Sequence, residues 1–211
     1  AEVAAGARTD ANASWWGFDP ADATDALQAA IDSNAKTVVV PYMGSPWIVR
    51  PIRLRSNLEL VFDPGVFISA KRGEFKGGGD SLFSAADCEN IAIRGYGATL
   101  RMWKKDYQNP PYEKAEWRMG FAINGCKNVL IEGVRVESTG GDAFYIGATK
   151  AHRWCEDVII RNCVALDHHR QGISVITAQN LLVENCEFSG TSGTAPQAGI
   201  DFEPNGADER L

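Results

Sequence analysis

Cys88-Glu-Asn-Ile-Ala-Ile-Arg-Gly95 is written again, with small changes, as Cys126-Lys-Asn-Val-Leu-Ile-Glu-Gly133, Cys155-Glu-Asp-Val-Ile-Ile-Arg-Asn162 and Ala178-Gln-Asn-Leu-Leu-Val-Glu-Asn185. Each phrase opens on a turn and runs into alternating apolar residues, the pattern of a strand with one buried face. The third positions Asn90, Asn128, Asp157 and Asn180 stand 38, 29 and 23 residues apart. That spacing is within or near the period of a solenoid coil, and its irregularity predicts insertions at fixed corners. A second strand recurs just outside each phrase, in Leu82 to Ala85, Gly120 to Ile123, Ala143 to Ile146, Gly172 to Val175 and Gly199 to Phe202. In register, Phe83, Phe121, Phe144, Ile173 and Ile200 stack inward, as do Ala85, Ile123, Ile146, Val175 and Phe202. Parallel strands in register pile like side chains ~4.8 Å apart, and turn asparagines can bond along the pile. A βαβ sheet would need helices between its parallel strands, whereas these gaps hold glycines and short polar turns. The fold class expected is all-β, a parallel β-helix.

Upstream, Asp22-Ala-Thr-Asp-Ala-Leu-Gln-Ala-Ala-Ile-Asp32 places Ala23, Leu27, Ala30 and Ile31 on one face of a short helix, suited to plug the open end of a coil. Thr37-Val-Val-Val-Pro41, Leu58-Glu-Leu-Val-Phe62 and Val66-Phe-Ile-Ser69 follow as the first rungs. Residues 1-36 are therefore assigned to an N-terminal segment with a capping helix, and residues 37-211 to β-helix rungs. Past Phe202 the sequence offers no fifth Asn phrase and no capping helix. The coil is expected to continue beyond residue 211, or to have its open end covered by a second polypeptide, since unpaired strand edges associate.

Composition agrees. The chain has 21 glycines, 9 prolines and only 3 methionines, and 45% of its residues are hydrophobic, as befits many turns around a continuous core. Its net charge is -6 and no Lys/Arg cluster exceeds two residues. A nucleic-acid partner would require a concentrated basic surface and is not expected; an acidic surface suits neutral sugars at least as well. No apolar run is long enough to cross a bilayer and no export leader opens the chain, so a soluble protein without a membrane partner is expected. Cys88, Cys126, Cys155, Cys163 and Cys186 are odd in number, which prevents full internal pairing, and are read as small apolar core residues at equivalent places in the repeats.

The helix, the Val-Val-Val-Pro strand and the Asn-Val-x-Ile-x-Gly phrases resemble the pectate-lyase-like right-handed parallel β-helix superfamily, over nearly the whole chain. The resemblance implies a right-handed coil. It spans polygalacturonases, other glycoside hydrolases, polysaccharide lyases, epimerases and tailspike-like proteins, so it implies a carbohydrate chain as partner more strongly than any one reaction. An extracellular or periplasmic location matches that class.

Chemistry on a β-helix needs residues that point outward from one stacked sheet. The register puts Tyr145, Ser174 and Asp201 in one outward ladder, Asp142 and Gln171 one step before it, and Glu203 two residues after Asp201. His168, His169 and Arg170 occupy the turn entering the next-to-last rung. Glycosidic cleavage uses one carboxyl to protonate the leaving oxygen and another to activate water or attack the sugar. Asp142, Asp201 and Glu203 are the candidate acids and bases, with His168 and Arg170 beside them and Tyr145, His169 and Gln171 as sugar contacts. Asp142 and Asp201, two rungs apart, have backbones roughly 10 Å apart, and Asp201 and Glu203 about 7 Å; either pair fits, leaving retention or inversion open. The polygalacturonase family carries a Gly-Asp-Asp phrase on one rung and Gly-His-Gly on the next. Gly140-Gly-Asp142 and His168-His-Arg-Gln-Gly172 resemble these loosely, with one aspartate instead of two and no matching Arg-x-Lys phrase.

The insertion between Leu100 and Gly120 carries Trp103, Tyr107, Tyr112 and Trp117 among Lys104, Lys105 and Arg118. Aromatic faces stack on pyranose rings and cations recognise charged sugars, so Trp103, Tyr107, Trp117 and Arg118 join the substrate-binding set. Trp15, Trp16 and Trp47 read as packing residues near the cap. The three histidines lack a metal-ligand spacing, and no metal or other cofactor is expected. The first functional reading is a glycoside hydrolase. A polysaccharide lyase acting on a uronate polymer, which often brings in Ca²⁺, is the nearest rival. A non-catalytic, tailspike-like carbohydrate-binding β-helix is the rival from another class.

Overall fold

A computed structural model describes residues 2-3, 6-207 and 209-211. Asp208, in the tail considered above, lies outside the described residues. The chain winds as a right-handed parallel β-helix with three sheets. The first holds seven strands, running from Asp10–Asn12 through Thr37–Val40, Leu58–Phe62, Glu89–Arg94, Lys127–Glu132 and Cys155–Arg161 to Ala178–Glu184. Every pairing between these named strands is parallel, including those of the two six-stranded sheets. A helix at Thr24–Ile31 buries Leu27, Ala30 and Ile31 against the beginning of the coil, as its apolar face predicts.

The repeated phrase folds as expected in the first sheet. Ile91, Val129 and Val158 stack, as do Ile93, Ile131 and Ile160, all at most 2% exposed. Full burial stabilises such side chains by about 1.5-3 kcal/mol each. The third residue of each phrase adopts a left-handed backbone, with φ of 57° at Asn90, 54° at Asn128, 55° at Asp157 and 58° at Asn180. Asparagine and aspartate tolerate this region because a short polar side chain compensates locally. Asn57, with φ 57°, begins the same ladder one rung earlier. Asn90 Nδ2 donates to Asn57 Oδ1 at 3.0 Å and Asn128 Nδ2 to Asn90 Oδ1 at 2.8 Å.

The third sheet, which carries the candidate site, runs from Ile52–Arg53 through Phe83–Ala86, Phe121–Asn124, Phe144–Gly147 and Ile173–Val175 to Ile200–Phe202. Its register pairs Phe121 with Phe83 and Phe144, then Phe144 with Ile173 and Ile173 with Ile200, the expected inward stack. Phe83, Phe121 and Phe144 lie ring on ring, with centroids 5.4 and 5.7 Å apart. On the last rung Ile200 and Phe202 follow this register yet are 43% and 60% exposed, their strand being the edge of the sheet among the described residues.

Two sequence expectations need correction. The remaining sheet, which includes Thr99–Arg101, Arg135–Glu137 and Val164–Leu166, gives each rung a third short strand that the two-strand repeat did not contain. Three residues of mixed polarity are too few to show periodicity. The cysteines are not all equivalent either. Cys88, Cys126 and Cys155 line the corner entering the first sheet, whereas Cys163 and Cys186 line the corner leaving it. All five are free thiols; burial pushes Cys126 up to about 12, in keeping with an inert core residue. Among the described residues no helix is long and apolar enough to cross a membrane.

Candidate active site

The third sheet brings Tyr145, Ser174 and Asp201 side by side on successive rungs, as the alternation predicts. Asp142 and Gln171 lie in the turns that feed the first two of these strands. Over them runs the end of the Leu100 to Gly120 insertion, held by an antiparallel bridge between Arg118 and Gly140. This approach explains the Gly-Gly pair before Asp142. A Cβ on Gly141 would stand 2.6 Å from the Glu116 carbonyl oxygen, and one on Gly140 2.6 Å from the Tyr107 ring.

That cover changes the status of Asp142. Expected on an open outward face, it is fully buried. Its Oδ1 accepts from the Gln171 backbone N–H at 2.9 Å, while its Oδ2 lies 3.5 Å from Arg170 Nη1 and has no hydrogen-bond partner. Burial is the largest influence on this carboxyl, opposed in part by Ser174, Arg170 and the Gln171 N–H, and pushes it up to about 7. A carboxyl so placed keeps a proton near neutrality.

Arg170 and Gln171, neighbours in sequence, organise the remaining acids. The Arg170 guanidinium meets Glu203 at 2.6 Å through Nη2, donates to Ser174 Oγ at 3.3 Å through Nη1, and turns Nε toward Glu116 at 3.7 Å. Burial works against its charge, but Glu203, Asp142 and Glu116 outweigh it and hold the pKa above the ordinary value. Gln171 donates from Nε2 to Asp201 Oδ2 at 2.8 Å, and its buried Oε1 is left without a partner. Burial also raises the Tyr145 phenol, which stays protonated.

Asp142, Asp201, Glu203, Arg170, Gln171 and Tyr145 thus come together. His168 does not join them as a working imidazole. It is fully buried, its Nδ1 lies 2.7 Å from Thr139 Oγ1, and burial holds its pKa down at about 3, so it packs the turn as a neutral ring. His169 is packed under the following loop with Nε2 3.0 Å from Thr194 Oγ1. Tyr107 and Arg118 are also withdrawn from the sugar-binding set: both are buried, and Arg118 donates to the carbonyls of Phe75, Lys76 and Glu113. Trp103 donates from Nε1 to Ala70 O and carries Arg72 over its ring at 3.7 Å, so its face is already occupied. Trp117 remains, 54% exposed and adjacent in sequence to Glu116. Glu116 is the acid that sequence reasoning missed. It lies in an irregular insertion, and its only signal was a Gly-Gly pair that demands close approach by another segment. Among the described residues no three His, Cys, Asp or Glu side chains are grouped to hold a metal ion.

Residues 76–207 match the family model described as a right handed beta helix region. The chain belongs to this right-handed β-helix family. It is 29% identical to the SPbeta prophage-derived uncharacterized protein YorA of Bacillus subtilis (strain 168), over 79% of this chain and 30% of YorA. The chain therefore spans less than a third of that relative's length. Among solved β-helices, a putative glycosyl hydrolase from Parabacteroides merdae aligns with a TM-score of 0.65 at 16% identity, over 92% of this chain and 96% of that one. Iota-carrageenase complexed to iota-carrageenan fragments aligns with a TM-score of 0.64 at 19% identity, over 83% of this chain and 41% of that enzyme. At these identities the likeness is one of fold.

Proposed function

We propose that this β-helix protein is a carbohydrate-active enzyme that cleaves a polysaccharide or oligosaccharide by glycosidic hydrolysis, with Asp142 as general acid and Asp201 or Glu203 as the base that activates water. The observation that carries the reading is the buried Asp142 carboxyl, which keeps its proton up to about pH 7 beside two further acids on the same face. Glycoside cleavage asks for this division of labour, one carboxyl protonated by its surroundings and another able to take a proton. The fold neighbours, among them a putative glycosyl hydrolase and a carrageenase, support the substrate class.

In this mechanism Asp142 Oδ2, the oxygen without a hydrogen-bond partner, carries the proton and delivers it to the glycosidic oxygen as the bond to the anomeric carbon breaks. Gln171 fixes the other oxygen of Asp142 through its backbone and Asp201 through its side chain, so a single residue on the middle rung sets the distance between acid and base. Arg170 covers Asp142 in the free protein. Withdrawal of its Nη1 from Asp142, with Nη2 kept on Glu203, would open the acid to a bound sugar, and the exposed Trp117, next in sequence to Glu116, offers a stacking face. An extracellular or periplasmic location fits such a substrate.

The test is release of reducing ends from a polysaccharide panel by wild type and Asp142→Asn. Hydrolysis with at least a hundred-fold loss in the variant is expected. Products that absorb through a new double bond would instead indicate a lyase, and binding without any cleavage would leave a tailspike-like binder.

A further inference from the structure

The charges of the cations nearest the candidate site are already offset or engaged, although Arg170 Nε and Arg118 Nη1 each keep a hydrogen without an acceptor. Arg170 is engaged by Glu203, Ser174 and Asp142 and faces Glu116. Arg118 is buried on three backbone carbonyls. Lys104, which ties the insertion to the coil, donates to Asp167, Ser192 and the His168 carbonyl. Against these stand the four carboxyl groups of Glu116, Asp142, Asp201 and Glu203, gathered by Arg170 and Gln171. One further observation points to a ligand: Gln171 is fully buried, yet its Oε1 has no hydrogen-bond partner. An unsatisfied buried acceptor costs about 1-3 kcal/mol and is relieved by a donor.

A sulfate or carboxylate brings only acceptors and a negative charge, and would meet the like charges of Glu116, Asp201 and Glu203 while Arg170 is already paired with Glu203 and Arg118 is held on backbone carbonyls. A sugar hydroxyl brings an O–H. We infer that the sugar units facing Asp142 and Gln171 are uncharged, held through hydroxyl groups that donate to Gln171 Oε1 and to the neighbouring carboxylates. This inference rests on the carbohydrate reading above and narrows its substrate class.

Affinity electrophoresis of the full chain through gels cast with single polymers tests it. Xylan, glucomannan and dextran serve as neutral probes, polygalacturonate and chondroitin sulfate as anionic ones. At least one neutral polymer is expected to retard the protein with an association constant ten-fold or more above that of either anionic polymer. Glu116→Lys, which adds a cation beside Arg170, is expected to raise the affinity for polygalacturonate at least ten-fold at low salt. Retention by an anionic polymer as strong as by the best neutral one, or retention by no neutral polymer, overturns the inference. Turnover of an anionic polymer that disappears in Asp142→Asn would overturn it while leaving the hydrolase reading intact. Strong retention by a neutral polymer that is never cleaved would uphold it and remove the hydrolase reading instead.

Discussion

The first and third sheets are built on the same rungs but treat their outward positions in opposite ways. On the first sheet, outward residues answer their neighbours rung by rung. Arg94 bonds Glu59 below and Glu132 above, and Arg161 closes on the other oxygen of Glu132 at 2.6 Å. The asparagine ladder beside them bonds like to like. On the third sheet the corresponding stack changes identity at every rung, from Tyr145 to Ser174 to Asp201, and the turns before it from Asp142 to Gln171. Unpartnered buried atoms gather there, at Asp142 Oδ2 and Gln171 Oε1. A stack that satisfies itself is scaffold, and one that leaves polar atoms unanswered has room for something else.

Asp142 should give the largest effect that breaks this contrast. Beyond the loss of turnover, Asp142→Asn should change how stability depends on pH. The folded chain holds this proton up to about 7, where the ordinary value is 3.8, so the native state binds more protons than the unfolded chain between those limits. Unfolding free energy therefore falls as pH rises from about 4 to 7, by on the order of 4 kcal/mol from this group alone. Asparagine has no proton to lose. Urea unfolding should find the variant more stable than wild type at pH 8 relative to their difference at pH 4. Parallel pH curves for the two proteins would remove Asp142 as a proton-holding acid.

The contrast also explains what could be read from the sequence. The first sheet was legible because its residues repeat, and the inward stack of Phe83, Phe121 and Phe144 on the third sheet was legible for the same reason. Alternation points Asp201, Glu203 and Gln171 out of the coil and Arg170 was read in the turn entering the rung, and these four side chains lie together in the fold. The burial of Asp142 was not legible, since it depends on where the insertion lands, and an insertion has no period. Residue type suggested chemistry for His168, Tyr107 and Arg118 as well, whereas all three are buried, a property that also depends on how the insertion packs.

The landing of the insertion can itself be tested. Gly141→Ala places a methyl group 2.6 Å from the backbone oxygen of Glu116 and 2.7 Å from Met119 Sδ. The backbone contact cannot yield by rotating a side chain, so the insertion must shift. Overpacking of this kind costs typically about 1-3 kcal/mol. Chemical denaturation should show that loss, and turnover per folded molecule should fall with it because Glu116 moves away from Arg170. Unchanged stability would mean that the bridge between Arg118 and Gly140 is not tightly held.

The smallest effect lies in the scaffold sheet, where one rung departs from the self-answering pattern. Asn90 and Asn128 each donate an amide hydrogen to the residue below, and Asn180 donates to Asp157 Oδ1 at 3.0 Å. Asp157 stands where the ladder calls for an asparagine, and an ionised carboxylate has no hydrogen to pass down to Asn128. Its backbone, with φ 55°, is one that asparagine adopts at least as readily. Asp157→Asn should supply the missing donor without disturbing the strand, joining Asn57, Asn90 and Asn128 to Asn180 in one continuous chain. The position is exposed, so the gain should sit at the low end for a hydrogen bond, about 0.5 kcal/mol. Thermal unfolding should register it as a slight rise in Tm, reversed in the double variant Asp157→Asn with Asn128→Ala. A gain that survives removal of Asn128 would have to come from the lost negative charge, and the ladder would then contribute nothing at this rung.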